Sequence, residues 1–86
     1  MIQEHKIKID PKYFDDVAKR RKTFEVRKND RAYKVGDLLV INEYDREIEK
    51  YTGRYIRVLA TYILDDQEYL RDGYVILALE ILEVNN

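Results

Sequence analysis

The chain has 86 residues, 45% of them hydrophobic and 38% charged, and sixteen Lys plus Arg against seventeen Asp plus Glu give a formal net charge of −1. That length holds one domain with a thin core, expected to span residues 1–86, and excludes a multidomain enzyme. The lack of cysteine removes disulfides, thiolate nucleophiles and cysteine-held metal or iron–sulfur centres, and one histidine, His5, removes a histidine-rich site, so no metal or cofactor is expected.

From the N-terminus, His5–Ile9 alternates Ile7 and Ile9 with Lys6 and Lys8, the pattern of a half-buried strand. Asp10-Pro11 reads as an N-cap with proline at the first helical position, and Tyr13, Phe14, Val17 and Ala18 form one apolar stripe, which predicts a helix from Pro11 to about Lys19. After the basic run Lys19-Arg20-Arg21-Lys22, Thr23–Arg27 has period two, with Phe24 and Val26 on one face and Thr23, Glu25 and Arg27 on the other. Asn29-Asp30-Arg31 marks a loop, and Val35-Gly36-Asp37 a tight turn into Leu38–Glu43, apolar on both faces and so expected to be a central strand.

Asp45–Lys50 reads as a long hairpin connection ending at Tyr51-Thr52-Gly53, with Gly36 and Gly53 as turn formers. Tyr55–Leu64 alternates again, placing Ile56, Val58, Ala60 and Tyr62 on one side, and is long enough to bend around a barrel. The acidic Asp65–Glu68 leads through Gly73 to a last strand, Tyr74–Val84. Its apolar run Tyr74–Leu79 is far shorter than the roughly 20 residues that span a bilayer. With a charged N-terminus as well, the expectation is a soluble cytoplasmic protein without signal peptide or membrane anchor. The fold class is mainly β (α+β): a small, five- to six-stranded, mostly antiparallel β-barrel with one N-terminal helix across an opening.

The segment Lys22–Arg27 carries the most chemistry. In a strand, Glu25 and Arg27 point the same way, roughly 6.5–7 Å apart, and are expected on an exposed face with Thr23. A carboxylate and a guanidinium side by side can meet the opposite hydrogen-bonding edges of a base or small polar ligand, and Arg27 also suits a phosphate. The alternative is a solvated salt-bridge face with nothing bound. Of the eight tyrosines, Tyr33, Tyr44, Tyr51 and Tyr55 lie among charges and can stack on bases, whereas Tyr13, Tyr62 and Tyr74 occupy apolar positions expected at the core or its edge. His5 reads as an ordinary surface or partly packed residue.

Several pieces in order resemble the ASCH domains of the PUA-like superfamily, and more closely the small DUF3850 group. They are His5 with Lys8-Ile9, Tyr13-Phe14-Asp15, Lys22 through Arg31, Val35-Gly36-Asp37, Glu43-Tyr44, Tyr51–Arg54 and Gly73–Leu77. The family pattern of Gly, any, Lys, any, any, Glu, any, Arg is matched at Lys22, Glu25 and Arg27, but Arg20 stands at the glycine position. A glycine just past a helix takes a left-handed conformation that arginine enters only at some cost.

The resemblance implies a PUA-like β-barrel whose motif lines a cleft facing RNA or a nucleotide-like small molecule. Lys22, Arg27 and Arg31 would meet phosphate or polar base atoms and Glu25 would accept from a base, with Arg20 and Arg21 adding attraction. One ASCH branch is similar to an amidohydrolase that deacetylates a modified cytidine, and there the lysine matching Lys22 is catalytic and a threonine replaces the glutamate. That leaves a small amidohydrolase, with Lys22 as nucleophile or base and Glu25 as proton carrier, as the alternative expectation. The third is a protein-interaction module pairing through an edge strand, and the expected state is a monomer or weak homodimer. The near-zero net charge is a cancellation: Lys19–Lys34 holds eight bases and two acids, a local +6, whereas Asp65 to the end holds six acids and one base, −5. A basic patch attracts an anion only if those acids fold elsewhere.

Overall fold

A computed structural model describes residues 2–86, in the order β1 (Glu4–Ile9), α1 (Pro11–Ala18), β2 (Phe24–Lys28), β3 (Leu38–Asp45), β4 (Lys50–Leu64) and β5 (Tyr74–Asn85). The strands form one sheet in the order β1-β3-β4-β5-β2, with β1 parallel to β3 and every other pairing antiparallel. This is the expected mainly β class: five strands curled into a half-barrel, with one short helix. β3 lies between β1 and β4, away from the sheet edge as expected, with Leu39 and Ile41 buried and Leu38 and Val40 half-buried.

One face of the sheet makes the core. Ile7, Ile9, Leu39, Ile41, Ile56, Val58, Ala60, Val75 and Leu77 point inward and meet Phe14 and Val17 of α1. An eight-residue helix is too short to persist alone. Burying Phe14 and Val17, at about 1.5–3 kcal/mol each, is what holds it in place. Asp10 stands at the N-cap in extended geometry, but its side chain makes no cap bond and is instead held by Arg46 at 2.8 Å.

At the other end of α1, the Arg21 amide donates to the Asp16 carbonyl and the Arg20 amide to the Val17 carbonyl, the two bonds of a Schellman cap. Arg20 takes the left-handed conformation at φ 61°. The helix thus ends as a glycine would end it, with an arginine carrying the strain.

Register shifts along β4 correct three sequence expectations. The hairpin between β3 and β4 is only the four residues 46–49, because both strands run on to the Asp45–Lys50 pair. Gly53, φ 93°, lies inside β4 rather than in a turn. Between the Asn42–Tyr55 and Tyr44–Tyr51 pairs, Glu43 of β3 faces the three residues Thr52-Gly53-Arg54 of β4. Further along, Ala60 pairs with Leu79 and Tyr62 with Ala78, so Thr61 is an extra residue that turns Tyr62 out of the core. Tyr62 is 62% exposed, and Ile63 takes the inward place.

β2 departs most from its pattern. Its pairing with β5 sets Glu25 beside Leu77 and Arg27 beside Val75, both inward, so the charged face is the interior one and not the exposed face expected. Phe24 and Val26 point outward with Ala78 and Ile76, and the β4–β5 register adds Tyr62 and Leu64 to those rows. A strand's face is set by its partner's register, and here β5 is the more apolar of the two.

Candidate functional site

The sheet order puts β1 and β2 at opposite ends of the sheet, and the curl brings these ends near one another. Arginines bridge the gap. Arg27 Nη1 donates to the Lys8 carbonyl at 3.0 Å, and Arg31 Nη1 to the Lys6 carbonyl at 2.7 Å. These bonds satisfy edge carbonyls of β1 that no sixth strand reaches.

Beside this seam lies a cleft of about 250 Å³ lined by Lys8, Asp10, Tyr13, Lys22, Glu25, Arg27 and Arg46 among others. Its floor is Glu25, 4% exposed. Lys22 Nζ donates to Glu25 Oε1 and to the Phe24 carbonyl, each at 2.8 Å, and lies 4.9 Å from the Phe24 ring centre and 5.5 Å from that of Tyr13. Arg27 Nη1 is 3.8 Å from Glu25 Oε2, an ionic contact beyond hydrogen-bond length. Among the described residues no donor completes a hydrogen bond to Oε2. The buried carboxylate therefore keeps one oxygen available on the side of the cleft, between two cations.

A second cavity of about 300 Å³ shares Lys8, Arg27 and Arg46 with the first and adds Lys6, Arg31, Asn42 and Tyr51. Five of its lining residues are cationic and none is acidic. Lys8 Nζ stands 4.1 Å over the Tyr44 ring, which meets Tyr51 edge-on at 4.9 Å. The largest cavity, about 530 Å³, lies on the far side of Lys22 against Arg20, Thr23, Thr61, Leu79 and Glu80. It includes neither Glu25 nor Arg27, and Val17, Leu79 and Ile81 complete its walls, so it lacks the buried carboxylate that marks the smaller cleft.

The structure thus brings together Lys22, Glu25, Arg27 and Arg31 around two adjoining cavities that share Lys8, Arg27 and Arg46. Arg20 faces the other cavity, and Arg21 pairs with Asp16 on the surface at 3.0 Å. No acid from Asp65 onward lines either basic cavity; Glu80 faces the largest one and Glu83 pairs with Arg57 at 3.4 Å. The two basic cavities are thus free of C-terminal acids, whereas Arg20 and Lys22 share the largest cavity with Glu80. Lys6, Lys8 and Arg46 complete the groove and were not singled out from sequence; the two lysines read there only as the solvent face of β1.

Two further buried carboxylates are structural. Asp37 accepts from His5 at 2.9 Å and from the Gln3 and Lys34 amides, tying β1 to the turn before β3. Burial pushes its pKa up, but the His5 and amide hydrogen bonds outweigh that and hold it below the ordinary value. His5 is accordingly buried, 6% exposed, with Tyr33 edge-on at 4.8 Å. Glu43 is held below its ordinary value chiefly by Arg54, against the opposing effect of burial, with help from Thr52. Arg54 is raised in turn, chiefly by its bonds to Glu43. Among the described residues no group of three or more His, Asp or Glu could hold a metal ion, and no helix is long and apolar enough to cross a membrane.

A half-barrel sheet with a charged inward face at its open seam defines a small β domain with a polar cleft between two sheet edges. The chain belongs to the family described as "Domain of unknown function (DUF3850)", whose profile matches residues 4–79. It is also similar to the "Uncharacterized 12.9 kDa protein in GpA 3'region" of Escherichia phage P2, with 38% identity over 77 residues, covering 90% of this chain and 68% of that protein.

Proposed function

We propose that this protein is a binding module of the ASCH, PUA-like type, holding RNA or a nucleotide-like ligand in the cleft over Glu25. The observation that carries this reading is the available Oε2 of a buried carboxylate, flanked by Lys22 and Arg27. A nucleobase presents adjacent donors and acceptors, and this triad answers both: Glu25 accepts from an amino or imino group while Lys22 and Arg27 donate to ring or carbonyl acceptors. Tyr13, 41% exposed beside Lys22, offers a ring edge at the cleft mouth.

Titration of the protein with mixed RNA oligonucleotides and free nucleosides at 50 mM salt tests it. Binding should weaken about tenfold between 50 and 200 mM salt if two or three phosphates are contacted, and weaken again in Lys22→Ala and Arg27→Ala. No binding of either probe at low salt overturns the reading.

The 2.8 Å contact between Lys22 and Glu25 also supports a second reading, a small amidohydrolase on an acylated nucleoside, in which Lys22 as base takes the proton of a water that attacks the acyl carbon and Glu25 carries that proton to the departing nitrogen as the C–N bond breaks, releasing the acid and the free nucleoside. In the present geometry Lys22 donates to two oxygens instead. Incubation with acetylated cytidine decides: turnover abolished by Lys22→Ala supports this reading, and the absence of product eliminates it.

A further inference from the structure

We infer that the all-cationic cavity at the seam is a phosphate compartment, so that the groove takes a nucleotide rather than a nucleoside, with the base over Glu25 and the phosphate among Lys6, Lys8, Arg27, Arg31 and Arg46. This inference rests on the reading of the neighbouring cleft as a base site and adds the class of ligand to it.

Three features carry it. The two cavities adjoin at Lys8, Arg27 and Arg46, so a ligand seated over Glu25 needs only to pass these side chains to place a substituent in the second. At about 250 and 300 Å³, the cavities lie just below and at the lower end of the usual range of roughly 300–1,000 Å³ for a ligand site, and together they fall well within it. Finally, their charges differ. The first contains Glu25 and Asp10, the second contains no carboxylate at all.

A carboxylate repels a phosphate and a cluster of cations attracts one, so the polarity of the groove fixes the orientation of the ligand. Arg27 and Arg31 are already fixed by single bonds from Nη1 to the β1 carbonyls. Each guanidinium has further N–H donors, and anchoring lowers the entropy lost when these meet a phosphate. Tyr51, 59% exposed at the edge of the compartment, suits stacking against a second base when the nucleotide belongs to a strand.

The test compares nucleosides, the matching 5′-monophosphates, inorganic phosphate and short single-stranded RNA, using the whole chain at low salt. The phosphate compartment is probed with Lys6→Gln, because Lys6 lines this cavity and not the cleft over Glu25, and its side chain makes no ion pair or hydrogen bond among the described residues. This change leaves both seam bonds in place, and an unchanged melting temperature confirms the fold.

We expect monophosphates to bind at least tenfold more tightly than nucleosides, and Lys6→Gln to cut that advantage at least threefold while nucleoside affinity stays within twofold. RNA binding tighter than that of any monophosphate identifies the strand as the source of the nucleotide; the reverse order identifies a free nucleotide. Nucleosides and monophosphates binding equally well, or a Lys6→Gln variant that keeps the phosphate preference in full, overturns the phosphate compartment but leaves the base site standing. If none of the probes binds, the base site fails as well.

Discussion

Glu25 and Glu43 lie equally deep, 4% and 2% exposed, and are partnered in opposite ways. Glu43 receives Arg54 on both oxygens, Nε at 2.8 Å and Nη2 at 2.6 Å, with the Thr52 hydroxyl as a third donor, and Arg54 lies 4.2 Å over the Phe14 ring. Its acceptors are filled and its counter-ion is packed under the helix. Glu25 receives one close donor, Lys22, and a distant guanidinium. The first arrangement locks β3, β4 and α1 together; the second leaves an oxygen available in a cleft. Similar residue types thus make a structural clamp in one place and a receptive site in another, according to whether the lone pairs are used up.

Arg54→Ala is the most severe way to break this contrast, because it strands a buried carboxylate and uncovers Phe14. A loss of about 3–5 kcal/mol is expected in urea unfolding, and a loss under about 1 kcal/mol would show that the clamp is not structural.

Acid should reveal the clamps next. Glu43 and Asp37 are both held below their ordinary values, so each stabilises the fold above its unfolded pKa, and that contribution is lost as pH falls below about 4 through the folded values. A melting-temperature series from pH 6 to pH 2 should fall steeply at the acid end, and Asp37→Asn should flatten it. An unchanged acid limb in that variant would contradict the assignment.

Glu25→Gln sharpens the contrast from the other side. Because glutamine keeps an oxygen acceptor for Lys22, which also retains the Phe24 carbonyl, the stability change should be about 1 kcal/mol or less, while ligand affinity drops at least tenfold. A stability loss as large as that of Arg54→Ala would make Glu25 a second clamp instead of a site.

The smallest effect is at Arg20, whose left-handed backbone glycine adopts without strain. Arg20→Gly should stabilise by about 0.5–1 kcal/mol after the added flexibility of the unfolded chain is counted, raising the melting temperature by a few degrees. A decrease would mean that the arginine side chain contributes more than its backbone costs.

Much of the architecture was legible in local patterns. The alternation of Ile7 and Ile9, the stripe of Phe14 and Val17, and the doubly apolar Leu38–Ile41 each report a face or a place in the sheet from neighbours two to four residues apart. The same logic failed at Tyr62, where the extra residue Thr61 reverses the alternation, and at β2, where Phe24 and Val26 had the look of the buried face. Neither strand decides its face alone: β4 follows the bulge formed against β5, and β2 follows the register that sets Glu25 beside Leu77.

The candidate site divides in the same way. Glu25 and Arg27 are two residues apart, so their spacing along one strand already placed them together, and the charge segregation between Lys19–Lys34 and the acidic C-terminal segment could be counted directly; Lys22 precedes β2 and joins the pair only through its bonds to Glu25 and the Phe24 carbonyl. The burial of Glu25, and the meeting of Lys6, Lys8 and Arg46 with Arg27 and Arg31, came only from the curled sheet. Side-chain spacing within a strand is fixed by covalent geometry, whereas the approach of β1 to β2 depends on a parallel pairing to β3 and on bulges far along the chain. The sequence by itself therefore determined which charges exist and which neighbours share a face; the tertiary structure decided which of them share a cavity, because only long-range pairing brings two sheet edges into reach of one ligand.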